Sequence, residues 1–141
     1  MGVTKKTSTA RSVSKNEKTF AYAQVLETCL TYFKGDELAA TTWMNKYAMR
    51  NKAGEYLENS PEQMHRRMAK EFGRIEEKYR NGMYLNGSAV LRSAYGQERE
   101  DLTEEKIFNL FKDFKHVIPQ GSVMTALGNP HMIASLSNCV V

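Results

Sequence analysis

Residues 60–79, with the sequence SPEQMHRRMAKEFGRIEEKY, contain the clearest helix start in the chain. Ser60 is predicted to cap the helix, because its hydroxyl is able to accept a free backbone N–H. Pro61 suits the first helical position, and Gln63 is placed to reach back as in a capping box. Apolar residues then recur at intervals of three or four, which predicts one buried helix face. The members of that face are Met64, Met68, Phe72, Ile75 and Tyr79.

The other side of this helix is rich in charge, with acids and bases three or four positions apart. This pattern is typical of a solvated helix surface, and His65 is interpreted as part of it. The charged members are Arg66, Arg67, Lys70, Glu71, Arg74, Glu77 and Lys78.

Further helices are predicted on both sides of this segment. Residues 19–33 form the first, Gly35 ends it, and Asp36 caps a second helix over residues 37–49. Thr103 is predicted to cap another helix that runs to about residue 116. The predicted apolar anchors of the second helix are Leu38, Trp43 and Tyr47, and those of the last are Ile107, Leu110, Phe111 and Phe114.

The remaining segments give weaker patterns. Residues 83–101 favour no single structure, and residues 121–130 are predicted to be a loop because they contain two glycines and a proline. Residues 135–141 are short and apolar and predict a buried strand. Since nothing upstream supplies a sheet, we expect the sequence to stop at the entrance to a second, sheet-containing domain.

The charge of the chain is concentrated in a tail. Residues 1–18 hold five basic side chains and one acid, which accounts for the whole net charge of +4. These residues are rich in Thr, Ser and Lys and are predicted to be disordered. The rest of the chain is neutral, so it does not have the basic face that nucleic-acid binding needs. No segment has the length and apolarity of a membrane span or secretory signal, and the expectation is a cytoplasmic protein.

The cysteines and histidines form no chemical motif by spacing. Cys29 and Cys139 are not in a CxxC pair, and the three histidines are far apart, so neither a disulfide scaffold nor a metal site is predicted. Taken alone, each cysteine is interpreted as a small apolar core residue.

Four stretches, in this order, resemble the large subunit of ribonucleotide reductases. They are YFKGDELAA at residues 32–40 with NKYA at 45–48, SPEQMHRRMAKEFGRIE at 60–76, IPQGSVM at 118–124 and SLSNCVV at 135–141. The resemblance implies a mainly α chain: a helical region over residues 19–134, followed by the first strand, residues 135–141, of a ten-stranded α/β barrel that is otherwise missing.

The resemblance also implies a role for particular residues. The last stretch is similar to the barrel strand on which the family places a redox-active cysteine, so Cys139 is expected to be one of the two thiols that reduce a ribonucleotide. Its partner thiol is expected beyond this chain. Asn138 and Ser122 are expected to contact the substrate.

The expected partners follow from the same resemblance. They are the rest of the large subunit, in a homodimer, the ribonucleotide, a radical-generating small subunit, and thioredoxin or glutaredoxin. No cofactor is expected on this part of the enzyme, and a metal-containing subunit or adenosylcobalamin would generate the radical elsewhere. The alternative, from a different class, is a small helical interaction protein with a basic tail.

Overall fold

The computed structural model describes residues 17–80, 83–85, 88–90 and 93–136, with no account of the side chains at 79, 80, 83–85 and 88–90. The predicted mainly α fold is confirmed. Six α-helices lie in the described residues: α1 Tyr22–Tyr32, α2 Glu37–Lys46, α3 Pro61–Arg80, α4 Ala94–Glu98, α5 Glu104–Phe111 and α6 Gly121–Ala126. A short antiparallel hairpin, β1 Met83–Leu85 with β2 Ser88–Val90, follows α3, and Met83 pairs with Val90.

The connection between α1 and α2 is formed as the sequence predicts. Gly35 has φ +87°, which favours glycine, and its N–H donates to the Leu30 carbonyl at 2.8 Å. The Asp36 carboxylate then accepts the Ala39 N–H at 2.9 Å and caps α2. A cap of this kind stabilises a helix by about 1 kcal/mol. The two helices therefore turn back on each other within a few residues.

Helix α3 is the centre of the fold, and its beginning is close to the prediction. Gln63 reaches back, although its Oε1 accepts the N–H of Asn59 at 2.8 Å rather than that of Ser60. Met64 and Met68 are fully buried, and α3 packs mainly against α5. The buried apolar core is formed by Val25, Cys29, Ala40, Trp43, Met44, Tyr56, Met64, Met68, Ala69, Ile107, Phe108, Phe111 and Met124.

Three helix residues that were predicted to be buried are exposed, and one of them is Ile75 of α3, which is 36% exposed. Leu38 is 78% exposed, because the buried side of α2 is formed by Ala40, Trp43 and Met44. Leu110 is 38% exposed, and Phe108 occupies the core in its place.

Helix α5 also ends earlier than predicted, at Phe111. The Thr103 cap is confirmed, since its hydroxyl accepts the Lys106 N–H at 3.3 Å. Asp113 and Phe114 both have φ +55°, a backbone conformation that interrupts the helical hydrogen bonds. The turn brings the Phe114 ring edge-on against His65, with 4.6 Å between ring centroids. The backbone leaves the helical conformation at Lys112, and the residues that follow carry Phe114 to α3.

Candidate functional site around helix α6

Helix α6 lies where the sequence predicted a loop. The Thr125 hydroxyl is 2.9 Å from the Gly121 carbonyl and 3.1 Å from the Lys46 carbonyl, so it is close to both its own helix and the end of α2. Met124 is buried in the core. A six-residue segment that begins with one glycine and is followed by another at residue 128 gives little helical signal, and its contact with α2 stabilises it as a helix.

Ser122, the expected substrate contact, is the second residue of α6. Its hydroxyl donates to the Leu136 carbonyl at 3.4 Å. The start of α6 is therefore next to the segment that leads into residues 138 and 139. Asn138 and Cys139 lie outside the described residues, as do all of residues 137–141 of the strand predicted at 135–141, so their roles stay predictions. Ser135 and Leu136 are described and are not in a strand.

A buried ion pair fixes the other end of α6. Arg67 Nε lies 2.7 Å from Glu58 Oε1, and their side chains are only 9% and 4% exposed. The Arg67 guanidinium also donates to the Leu127 carbonyl and, at 2.8 Å, to the Met124 carbonyl. Arg67 thus supplies donors to the carbonyls at the end of α6, which have no helical partner.

Glu58 extends this network to a third segment of the chain. Its Oε2 accepts the Met49 N–H at 3.0 Å. Because both charges are paired and their remaining hydrogen-bonding groups are occupied, the cost of burying them is offset. The pair therefore joins the 49–58 loop, α3 and the end of α6.

The prediction that Arg67 lies on a solvated face is wrong. Arg66 fits that prediction better, since its side chain is 44% exposed and contacts Glu105. The position of Arg67 gave a signal that was missed: it lies three residues after Met64 and one before Met68, at the edge of the buried stripe. A long polar side chain there needs a buried partner.

Gly128, directly after this helix end, is required by both conformation and space. Its φ is +73°, and a Cβ at this position would lie 2.9 Å from Cγ of both Arg67 and Glu71. The backbone is therefore able to approach α3 closely enough for Arg67 to bond the end of α6.

His65 was interpreted as a surface residue, and this is wrong, because it is only 1% exposed. Its ring stacks near Phe111 and meets Phe114 edge-on. Neither ring nitrogen has a hydrogen-bond partner. Burial lowers the pKa of His65 to about 4, although the carboxylate of Asp113 acts in the opposite direction. His65 is therefore neutral at physiological pH and belongs to the core.

Cys29 is a core residue, as predicted. It is fully buried, and its thiol donates to the Asn59 carbonyl over 3.6 Å. Burial raises the pKa of the thiol to about 11, so the reactive thiolate is scarce at neutral pH. Among the described residues, no group of three or more His, Cys, Asp or Glu side chains is arranged to hold a metal ion.

Comparison with protein families identifies the chain. The model of the ribonucleotide reductase all-alpha domain matches residues 33–131, well over half of the sequence. The chain belongs to this family. No curated protein and no solved structure matches it.

The matched range shows which parts of the site belong to the all-alpha domain. It includes Glu58, Arg67, Ser122 and Gly128, and it also spans residues 83–101, which favoured no structure in the sequence. It ends before the 135–141 stretch, so Cys139 lies outside the matched residues. None of the helices in the described ranges is long and apolar enough to cross a membrane.

Proposed function

We propose that this chain is the N-terminal part of the large, catalytic subunit of a ribonucleotide reductase, which reduces ribonucleotides to deoxyribonucleotides for DNA synthesis. The observation that supports it most is the match of the all-alpha domain over residues 33–131. The hydrogen bond between Ser122 and Leu136 adds a second argument, because it brings the expected substrate contact to the segment before Cys139.

The chemical role proposed for Cys139 is that of a reducing thiol. Cys139 and a second cysteine outside this chain together lose two electrons and two protons and become a disulfide. The ribonucleotide gains them, exchanges its 2′-hydroxyl for hydrogen and releases that oxygen as water. Thioredoxin or glutaredoxin would then reduce the disulfide by thiol exchange.

Ser122 and Asn138 are proposed to orient the nucleotide beside this thiol. A hydroxyl and a carboxamide both donate and accept hydrogen bonds, and ribose and phosphate oxygens are suitable partners. Because α6 is fixed by Arg67 at its end and by Thr125 at Lys46, the Ser122 hydroxyl would be held in place before substrate binds.

The chain is proposed to be inactive alone. Its reaction requires the rest of the large subunit, in a homodimer, for the partner cysteine and the radical-bearing residue. A metal-containing small subunit or adenosylcobalamin would supply the radical. The described residues would only bind and position the substrate and, through the following strand, present Cys139.

The test is deoxyribonucleotide formation by the chain combined with the rest of the large subunit, a radical generator and a dithiol. Cys139→Ser should abolish dithiol-dependent reduction, because a hydroxyl does not form a disulfide. Cys29→Ser is the matched control and should retain the activity. Full activity of Cys139→Ser would exclude the redox role.

The same assay separates this function from that of a helical interaction protein. If the chain were an interaction protein, omitting it would leave deoxyribonucleotide formation unchanged, whereas the proposed reductase requires the chain. The family match favours the reductase.

A further inference from the structure

A cavity of about 360 Å³ lies between the end of α2, the turn at residues 50–54 and the segment that follows α6. Its size is within the range of small-molecule sites, about 300–1,000 Å³. None of its lining residues is acidic. Its wall contains three cations and three amides: Lys46, Arg50, Lys52, Asn45, Asn51 and Asn129.

The turn that carries Arg50 and Lys52 is held by local hydrogen bonds. Asn51 Oδ1 accepts the Ala53 N–H at 2.9 Å and the Glu55 N–H at 3.0 Å. Arg50 Nη2 donates to the Tyr56 hydroxyl at 2.6 Å, and its guanidinium lies 4.3 Å from the centre of the Tyr56 ring. Arg50 is therefore oriented before any ligand arrives.

The opposite wall is also ordered. Asn129 is 9% exposed, its Oδ1 accepts the His131 N–H at 2.9 Å, and its Nδ2 lies 3.3 Å from the Thr125 carbonyl. The His131 side chain is 5% exposed. Since Thr125 also contacts Lys46, this wall is joined to the end of α2.

The cations of the cavity are only partly neutralised. In the described ranges, the Lys46 and Lys52 side chains have no ion pair, and both residues are exposed. Two carboxylates contact lining residues from outside: Glu55 accepts from Asn51 at 2.7 Å, and Glu17 lies 3.2 Å from His131 Nε2. Two lysines without a counter-ion, beside an oriented arginine, favour an anion.

We propose that this cavity binds a phosphate group, either free or carried by a nucleotide. Lysine ammonium groups bind phosphate as point charges. Arg50 Nη2 already donates to the Met44 carbonyl at 3.2 Å and to Tyr56, so the directed donors are the amide of Asn45 and the other N–H groups of Arg50. Ser122 does not line the cavity, and the proposal does not depend on Ser122 or on the proposed reduction. It is expected in the 141-residue chain by itself.

The experiment is calorimetric titration of the chain with sodium phosphate, pyrophosphate, ADP and adenosine at constant ionic strength. Pyrophosphate should bind, and adenosine, which has no phosphate, should not. Lys46→Ala/Lys52→Ala should weaken pyrophosphate binding about tenfold or more, because a charged hydrogen bond contributes that much or more. The reversed charge of Lys52→Glu, at an exposed turn, should weaken it similarly.

The matched control is Lys78→Ala/Lys115→Ala, which removes the same charge from exposed sites elsewhere. It should leave the affinity within about twofold, while all variants keep the thermal melt of the unchanged chain. Tighter binding of ADP than pyrophosphate would identify a nucleotide as the source, and equal or weaker binding would identify free phosphate. No binding of any phosphate, or equal losses in both double variants, would overturn the proposal.

Discussion

Replacing Arg67 with Met should destabilise the chain more than any other single arginine substitution in α3. Methionine keeps most of the length of the side chain and removes the charge. Glu58, which is 3% exposed, would then be left as a buried carboxylate without its cation. The carbonyls of Met124 and Leu127 would lose their donors at the same time.

The magnitude follows from this burial. Breaking a buried pair by removing one partner costs about 3–5 kcal/mol, because the other charge remains uncompensated. A domain of this size has a free energy of unfolding of only about 5–15 kcal/mol. The loss would therefore remove a large part of the stability. Since the guanidinium bonds the end of α6, hydrogen exchange in α6 should increase most.

The assay is urea unfolding followed by circular dichroism, combined with amide hydrogen exchange. Arg74→Met is the matched control on the same helix, because Arg74 is 45% exposed and pairs with Glu71 three residues away. It should cost no more than about 0.5 kcal/mol. The double variant Glu58→Gln/Arg67→Met removes both charges while keeping an acceptor for Met49, and it should regain about 1–3 kcal/mol.

The reasoning would be refuted by either of two results. One is a loss below about 1 kcal/mol for Arg67→Met, which would mean that water compensates Glu58. The other is a double variant that is less stable than Arg67→Met, since relief of an uncompensated charge must act in the opposite direction.

Three further predictions concern the core, the turn after α6 and the cap of α2. The pKa of His65 is lowered to about 4 in the fold, whereas its ordinary value is about 6.5. Because the unfolded chain takes up the proton first, the free energy of unfolding should be highest above about pH 6.5 and should fall as the pH is lowered towards 4. His65→Leu should reduce the dependence of the unfolding free energy on pH between about 4 and 6.5, measured by urea titration at several pH values, whereas the exposed His116→Leu should not. The same pH dependence in both variants would contradict the burial argument. Gly128→Ala should cost about 2–3 kcal/mol, because the backbone strain at φ +73° is added to the close contact with α3. The control Gly54→Ala, at φ +85° with no atom within 4 Å of its Cβ, should cost only about 1 kcal/mol. Equal melting temperatures for the two variants would exclude a contribution from the contact. Asp36→Ala should lose about 1 kcal/mol in chemical unfolding, and an unchanged midpoint would show that the Ala39 N–H is satisfied without the carboxylate.

Local signals in the sequence determined where the helices begin and turn. The Asp36 and Thr103 caps and the reach-back of Gln63 each involve residues within four positions, so their chemistry is visible in the sequence. The break at Gly35 is also local, because the required φ is one that glycine adopts without a steric penalty. The quoted stretches likewise carried the family resemblance, and the family match over residues 33–131 confirms it.

The tertiary structure decided which polar residues are buried and where the site is held. Arg67 lies at the edge of the buried stripe of α3, which is visible in the sequence, but the carbonyl of Leu127 that it bonds is 60 positions away and only the fold brings it there. The pKa of His65 is lowered because it is buried where Phe111 and Phe114 pack against it, and α6 is a helix where two glycines predicted a loop. In each case the stabilising contacts come from a segment that is distant in the sequence. Spacing along the chain describes one face of a helix, and only the packed fold determines what covers that face.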